Sequence, residues 1–236
     1  MRLSGNILEE YEKAYAAGNS VMLSGREIGA PRKADNIVSL CSSSPHNNII
    51  EIGAGDGAVL NNLSLRGFGT SFTAVEISAS AVERIRSRRI ESISAILFDG
   101  AELPFPDQSF DLALLSHVVE HLENPRQLIK EAARVARSVF IEVPLEDTRG
   151  AGKSWHKNPE GHINYYTFRS IRFLVQSCGL TLRKQRITDW AWSTYRFENG
   201  VAKGMIKFIV KRLALSIAPH LATKLFTLNL AITAAR

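Results

Sequence analysis

The stretch NNIIEIGAGDGAVLNNL, residues 47–63, changes character in its middle. It begins as an apolar run typical of a buried strand, breaks at three alternate glycines, and resumes with apolar residues at helical spacing. Glycine has no Cβ, so such a turn lets the backbone approach a ligand closely. The stretch therefore predicts a strand, a turn and a helix that together bind a ligand.

Strands and helices continue to alternate after this unit. Apolar segments with strand character recur at residues 71–78, 92–100, 110–116 and 138–145, and most of them are separated by amphipathic segments. Parallel strands joined by helices form sheets that are covered on both faces. We therefore predict an α/β, Rossmann-like fold with a mostly parallel sheet and helices on both faces.

The two ends of the chain depart from this pattern. Residues 1–44 predict two helical segments joined by a link that contains Gly and Ser, and we assign them to an N-terminal helical cap. Residues 45–236 are assigned to the ligand-binding domain. Within it we predict a basic amphipathic helical insertion at about residues 200–223, followed by a C-terminal strand.

Charge and composition indicate which partners and which location to expect for this protein. The net charge is +6, and residues 201–236 hold six basic residues and no acidic one. Basic residues are not interleaved with aromatic ones and no nucleic-acid motif is recognisable, so we expect no nucleic-acid partner. Two distant cysteines and an N-terminus without an apolar signal segment indicate a reducing, cytoplasmic location.

The glycine turn fits a nucleotide-like ligand. GAGDGA satisfies the dinucleotide fingerprint, and Glu76 ends the next strand about twenty residues later, where a carboxylate accepts ribose hydroxyls. NAD is therefore one candidate. The same features would bind any adenosine-like ligand, because the glycines supply space and the acid supplies the ribose contact.

The wider set of motifs resembles the class I S-adenosylmethionine-dependent methyltransferases, in the group that includes quinone-ring and glycan or lipid methyltransferases. EIGAGDG is similar to their first motif, AVEIS to the strand end with the ribose-binding acid, and FDGAELPFPDQSFDLALLSHVVEHL to the block that follows. The resemblance implies S-adenosylmethionine as methyl donor. It also implies a seven-stranded sheet whose C-terminal strand is antiparallel.

By the same resemblance, Asp99 would receive the adenine amino group. The predicted donor site comprises residues at the ends of the first, second, third and fourth strands: Glu51, Gly53, Gly55, Gly57, Glu76, Ile77, Asp99, Gly100 and Ser116. The acids among them suit a sulfonium cation, whereas a pyrophosphate would be repelled. This favours S-adenosylmethionine over NAD.

A second motif, SHVVEHLENP at residues 116–125, carries candidate catalytic groups. In a helix, His117, Glu120 and His121 would project from one face. A neutral imidazole can take the proton of an acceptor hydroxyl, so His117 or His121 is a candidate base. His162 is a further candidate, because the family brings a residue of its loop over the acceptor.

Two other interpretations of this motif stay open. The trio His117, Glu120 and His121 could hold a metal, and quinone-type methyltransferases resemble it with E-x-x-E-H, which holds magnesium. Here a histidine replaces the first glutamate, so a softer metal or no metal is expected, and we predict none. Alternatively the polar residues only hydrogen-bond a neighbouring helix. A zinc peptidase is disfavoured, because a buried strand directly precedes the motif.

We predict an enzyme that methylates a small-molecule, glycan or lipid-precursor acceptor, with oxygen as the expected acceptor atom and nitrogen or carbon as the open alternatives. The apolar wall around the acceptor would draw on the aromatic residues Trp155, Tyr165, Tyr166 and Trp190. The alternatives are an NAD-dependent oxidoreductase and a non-catalytic protein that binds S-adenosylmethionine.

The predicted basic helix adds a further expectation. Lys203, Lys207 and Lys211 recur every four residues, while apolar residues fall on the opposite side. Lysines at this spacing rule out a spanning helix but permit a helix that lies in a membrane surface. Packing of the apolar side on the sheet and a protein interface are the alternatives.

Overall fold

The computed structural model describes residues 5–98, 102–146, 148 and 161–236. The strands are β1 (Asn48–Ile52), β2 (Ser71–Glu76), β3 (Ile93–Leu97), β4 (Phe110–Ser116), β5 (Ala136–Leu145), β6 (Thr181–Thr188) and β7 (Leu228–Ala235). The α-helices are α1 (Gly5–Ala16), α2 (Ser20–Cys41), α3 (Ala58–Leu65), α4 (Ala79–Ser87), α5 (Pro125–Val135), α6 (Phe168–Gln176), α7 (Trp192–Asn199), α8 (Val201–Ile217) and α9 (Pro219–Leu225).

The strands form one seven-stranded sheet in the order β3-β2-β1-β4-β5-β7-β6. Strands β1 to β5 pair in parallel, and β7 lies antiparallel between β5 and β6. This confirms the predicted α/β fold with its antiparallel C-terminal strand. The strand order reverses between β1 and β4, and in open α/β sheets the crevice at such a point binds ligands.

Apolar side chains cover the sheet on both faces. One cluster joins β4 and β5 to α5 and α6, and includes Leu115, Ile129 and Ile171. The other joins β1 and β2 to α2 and α3, and includes Ile37 and Leu60. The two layers fix β1, β2 and β4 side by side, so that their C-terminal ends meet at one edge.

The N-terminal helices differ from the sequence prediction. The segment predicted as a link is helical, because Asn19 caps the first turn through its side chain and α2 then runs unbroken to Cys41. Ala34 and Ile37 of α2 are fully buried in the core. The predicted division into a cap of residues 1–44 and a domain of residues 45–236 stays a prediction.

Other local predictions had mixed outcomes. The sequence also places cap-forming residues at the starts of α5 and α6: Thr167 begins α6 with a capping box, whereas the side chain of Asn124 forms no capping hydrogen bond at α5. Helix α7 was not predicted. The basic helical stretch from Val201 is present as α8, and a short helix, α9, follows it. Within the described residues, no helix combines the length and the apolar character needed to cross a bilayer.

Candidate active site

The glycine turn after β1 adopts a backbone that side chains would not allow. Gly53, Gly55 and Gly57 have φ angles of 80°, 58° and 77°. A Cβ on Gly53 would lie 2.7 Å from a methyl group of Val118, and one on Gly55 would overlap the guanidinium of Arg26. The glycines therefore admit close neighbours from the protein itself, and the close approach of a ligand to this turn stays a prediction.

The carboxylate of Glu76 holds this turn in place. It accepts hydrogen bonds from the backbone N–H of Gly55 at 2.7 Å and of Ile77 at 2.8 Å, and a longer one from Ser78. Carboxylate oxygens can accept several hydrogen bonds, so Glu76 can serve the turn and a ribose together. The orientation of the carboxylate is fixed before any ligand arrives.

Glu51, at the end of β1, is buried among the strands. Its Oε2 atom has no hydrogen-bond partner in the described part of the chain. Burial raises the pKa of this carboxyl from 4.5 to about 8, against the opposing effect of Lys33 and Arg26. A buried carboxyl that lacks a hydrogen-bond partner and lies beside the glycine turn is suited to bind a cationic group such as an ammonium.

A narrow pocket of about 70 Å³ lies over the ends of β1 and β2. Three residues of the predicted donor site, Gly53, Glu76 and Ile77, line it. Tyr15 and Arg26 also line it, although sequence reasoning placed no site residue in the N-terminal helices. No sequence signal marks these two residues, because only the folding of α1 and α2 over the turn brings them there.

A second cavity of about 650 Å³ adjoins the first. Among its lining residues are Lys33, Glu51, Ser116, His162 and Trp190. Both spaces are lined by Arg26, Gly53, His117 and His121. Ser116, predicted to bind the donor, therefore lies on the side of the second cavity, and its buried hydroxyl has no hydrogen-bond partner among the described residues.

The HVVEH motif is not an α-helix. Val119–His121 form a single 3-10 turn, and His117 precedes it with φ at 57°, a left-handed conformation uncommon for residues other than glycine. Nδ1 of His117 still lies 3.3 Å from Oε1 of Glu120, and its ring packs on Trp190 with centroids 5.4 Å apart. Burial holds the pKa of His117 well below 6.5, so the ring is neutral.

His121 and His162 lie together at the second cavity, with ring centroids 4.9 Å apart. Nδ1 of His121 lies 3.1 Å from the carbonyl oxygen of Gly161, and Nδ1 of His162 lies 2.9 Å from Oε2 of Glu146. Each Nδ1–H donates to that oxygen, so Nε2 carries the lone pair. Burial lowers the pKa of His121 to about 4.

These two histidines also form a group that could hold a metal. Ligand atoms of Glu120, His121 and His162 all lie within 4.8 Å of one another. Burial raises the pKa of Glu120 to about 7, and neither of its carboxylate oxygens has a hydrogen-bond partner in the described chain. The trio predicted from sequence contained His117 instead of His162, because the spacing within one motif cannot show what a distant loop contributes.

Some residues of the predicted site lie outside the described part of the chain, and others lie in the core or at the surface. Asp99, Gly100 and Trp155 lie outside the described residues. Tyr166 is a core residue whose hydroxyl donates to the carbonyl of Val119, and Tyr165 is exposed and lines neither of the two spaces. Of the four predicted wall aromatics, Trp190 lines the second cavity.

Comparison with known proteins agrees with this geometry. A sequence model of a methyltransferase domain matches residues 26–185, which is more than half of the chain. The chain therefore belongs to the methyltransferase domain family. This confirms the predicted family, the enzyme class of the domain and its methyl donor, S-adenosylmethionine.

Its similarity to individual proteins is more limited. It is 32% identical over 117 residues, 48% of this chain and 41% of the other, to a probable S-adenosylmethionine-dependent methyltransferase of Mycobacterium tuberculosis. It is 32% identical over 91 residues, 38% of this chain and 37% of the other, to a demethylmenaquinone methyltransferase of Tropheryma whipplei. The chain thus spans less than half the length of these relatives.

Among solved structures, the [4+2]-cyclase SpnF matches with a TM-score of 0.70 and 16% identity, over 98% of this chain and 95% of that one. A methyltransferase of Aquifex aeolicus matches with a TM-score of 0.56 and 15% identity, over 89% and 92% of the two chains. These similarities support the fold.

Proposed function

We propose that this protein transfers a methyl group from S-adenosylmethionine to a hydroxyl oxygen of a small molecule or of a lipid- or glycan-linked precursor. We call the pocket over the ends of β1 and β2 the donor pocket and the second cavity the acceptor cavity. The observation that carries the proposal is that the acceptor cavity shares His121 with the donor pocket and is also lined by His162. An acceptor bound there would lie beside both the donor and two imidazole nitrogens that carry lone pairs.

The residues of the donor pocket suit this donor. Glu76 lines the pocket, and beside its hydrogen bonds from Gly55 and Ile77 its carboxylate has further lone pairs that could accept ribose hydroxyls. In the adjoining acceptor cavity, the Oε2 atom of Glu51 has no hydrogen-bond partner among the described residues and suits the ammonium group of the donor. The guanidinium of Arg26, which lines both spaces and also pairs with Asp56, suits the carboxylate of the donor.

The histidines account for the proton of the acceptor. When bound, S-adenosylmethionine supplies an electrophilic methyl group on a sulfonium and leaves as a neutral thioether. The acceptor oxygen forms the new carbon–oxygen bond while its proton moves to Nε2 of a histidine. His121 lines both spaces, and the carboxylate of Glu146 stabilises the cationic form of His162, so this pair would take the proton.

A metal-assisted form of the same transfer is the second candidate. It is favoured by the convergence of Glu120, His121 and His162, with a buried carboxylate that lacks hydrogen-bond partners in the described chain. In that form the three residues would hold a divalent ion, and the ion would lower the pKa of the acceptor hydroxyl.

The names of relatives leave the acceptor open. One is called a demethylmenaquinone methyltransferase, while another, 26% identical over 137 residues, is the ajmaline N-methyltransferase of Rauvolfia serpentina. The structural neighbour named a cyclase shows that this fold also occurs in a protein named for another reaction. The choice of oxygen therefore rests on the histidine-lined cavity.

The test is a screen of hydroxyl, amine and carbon acceptors with donor labelled in its methyl group, using wild type and His121→Ala. We expect label on a hydroxyl product and a loss of about a hundredfold or more in the variant. Donor binding without turnover on any class would favour the non-catalytic alternative. Binding of NAD but not of the donor would favour the oxidoreductase, which nothing in the family match supports.

A further inference from the structure

Helix α8 exposes its apolar residues to solvent. Ile217 is 80% exposed, Ile206 65% and Leu213 55%. Their spacing places them on one side of the helix together with two further exposed residues, and α9 adds two more. We call this set the apolar stripe: Ile206, Ile209, Val210, Leu213, Ile217, Leu221 and Leu225.

The protein holds α8 by its opposite side. Gly204, the one residue of α8 described as buried, sits where a Cβ would be 2.7 Å from the carbonyl oxygen of Tyr195. Nζ of Lys211 lies 3.2 Å from Oδ1 of the buried Asp189 and donates to the carbonyl of Thr227. The alternative in which the apolar side packs on the sheet is therefore wrong, because Gly204 and Lys211 occupy the contact with the rest of the protein.

Exposed cations border the stripe. Lys203 and Arg212 are exposed, and residues 201–236 contain no acidic residue. The sequence spacing predicts that Lys211 lies with Lys203 on the exposed basic side of the helix. This expectation is wrong, because the ammonium group of Lys211 contacts the buried Asp189. Two copies of the chain that met through their stripes would bring these cations together, which opposes a dimer through this surface.

We propose that α8 and α9 dock on an anionic lipid surface, with the apolar stripe buried among the acyl chains and Lys203 and Arg212 beside the head groups. A helix of 17 residues is about 25 Å long and would lie along the surface. An apolar stripe with cationic borders is the arrangement that such surfaces bind.

The position of the stripe connects it with the acceptor cavity. Helix α7 packs on α8, and its residues Thr194, Phe197 and Glu198 line that cavity. Docking would therefore hold the cavity close to the lipid surface. The docking itself is independent of methyl transfer, so it can be tested without knowing the acceptor.

The experiment is co-sedimentation of the full chain with vesicles of phosphatidylcholine alone, or mixed with phosphatidylglycerol in equal amounts, at low and high salt. We expect binding to the anionic vesicles that weakens with salt. Two variants test the two parts of the surface: Ile206→Gln/Leu213→Gln/Ile217→Gln and Lys203→Glu/Arg212→Glu. Each should lower vesicle affinity about tenfold or more.

The matched control is Leu65→Gln/Phe173→Gln, which removes two apolar side chains that are 77% and 68% exposed elsewhere. It should bind like wild type. Equal binding by all four proteins, or no binding of wild type to anionic vesicles, would overturn the proposal. So would a dimer in light scattering that the stripe variant dissociates, without vesicle binding. Unchanged thermal unfolding and donor binding show that the variants are folded.

Discussion

Nδ1 of His162 lies 2.9 Å from Oε2 of Glu146, and both side chains are largely buried. The pair joins the end of β5 to the segment that precedes α6, so the two residues meet beside the acceptor cavity although 16 positions separate them. A carboxylate in this position fixes the tautomer of the imidazole and stabilises its cationic form.

This pair leads to the first prediction. His162→Ala should lower kcat by about a hundredfold, and Glu146→Gln by about tenfold or more, because the base loses its ring or its stabilising carboxylate. Donor affinity, measured by calorimetry, should change little. His220→Ala is the control, since His220 is exposed and packs edge-to-face against Phe168, outside the two cavities. Full activity in both variants would remove this pair from the chemistry.

The second prediction concerns the donor pocket. Glu76→Gln should weaken donor binding by about 1 to 3 kcal/mol, because a charged acceptor of hydrogen bonds is lost. Calorimetry at a temperature where the variant is folded gives the value. Glu91→Gln, which neutralises an exposed acid, is the control. An unchanged donor affinity in Glu76→Gln would show that the carboxylate serves the glycine turn alone.

The third prediction follows from the pKa of Glu51, which burial raises to about 8. Between its ordinary value of 4.5 and about 8, the folded chain keeps a proton that the unfolded chain releases. The free energy of unfolding should therefore fall as pH rises through that window. In Glu51→Gln the fall should be smaller, by about 1 kcal/mol or more, because glutamine does not titrate.

Urea unfolding at pH 5 and pH 8.5 measures this difference, with Glu91→Gln expected to follow wild type. Binding of the cationic donor beside Glu51 should lower the pKa of this carboxyl, so protons should be released on binding. Calorimetry in buffers of different ionisation enthalpy detects that release. Parallel pH profiles for wild type and Glu51→Gln would contradict the buried-proton interpretation.

The fourth prediction separates base catalysis from metal assistance. If the histidines act as bases, activity should survive dialysis against a chelator. If Glu120, His121 and His162 hold an ion, activity should be lost and then restored by added Mn²⁺ or Zn²⁺. Cobalt titration followed by absorption reports binding without turnover, and Glu120→Gln should weaken it by about tenfold or more.

The fifth prediction concerns the left-handed backbone of His117. His117→Asn should keep the stability of wild type to within about 1 kcal/mol, since asparagine tolerates this conformation. His117→Val should lose about 1 to 3 kcal/mol, because a β-branched residue is strained there. Thermal unfolding measures both. Equal stabilities of the two variants would mean that the segment rearranges around the new residue. Equal losses of activity in the two variants would show that the imidazole has a role of its own, separate from the backbone conformation.

The sequence by itself determined the fold and the family, and it indicated Gly53 and Glu76, which line the pocket at the ends of β1 and β2. Gly53 and Glu76 could be identified because their roles depend on local chemistry: a turn that excludes Cβ atoms and a carboxylate at a strand end. The glycines and the acid stand at a characteristic spacing from one another, so a pattern in the linear sequence identifies them. The same reasoning held for the amphipathic character of α8.

Only the tertiary structure decided which distant residues meet. Arg26 reaches the glycine turn because α2 folds across it, and His162 joins His121 because a distant loop returns to the end of β4. The apolar side of α8 faces outward because the small Gly204 and the paired Lys211 occupy the contact with the protein. Hydrophobic periodicity shows that a helix has two sides, whereas the shape and charge of its neighbours decide which side is buried.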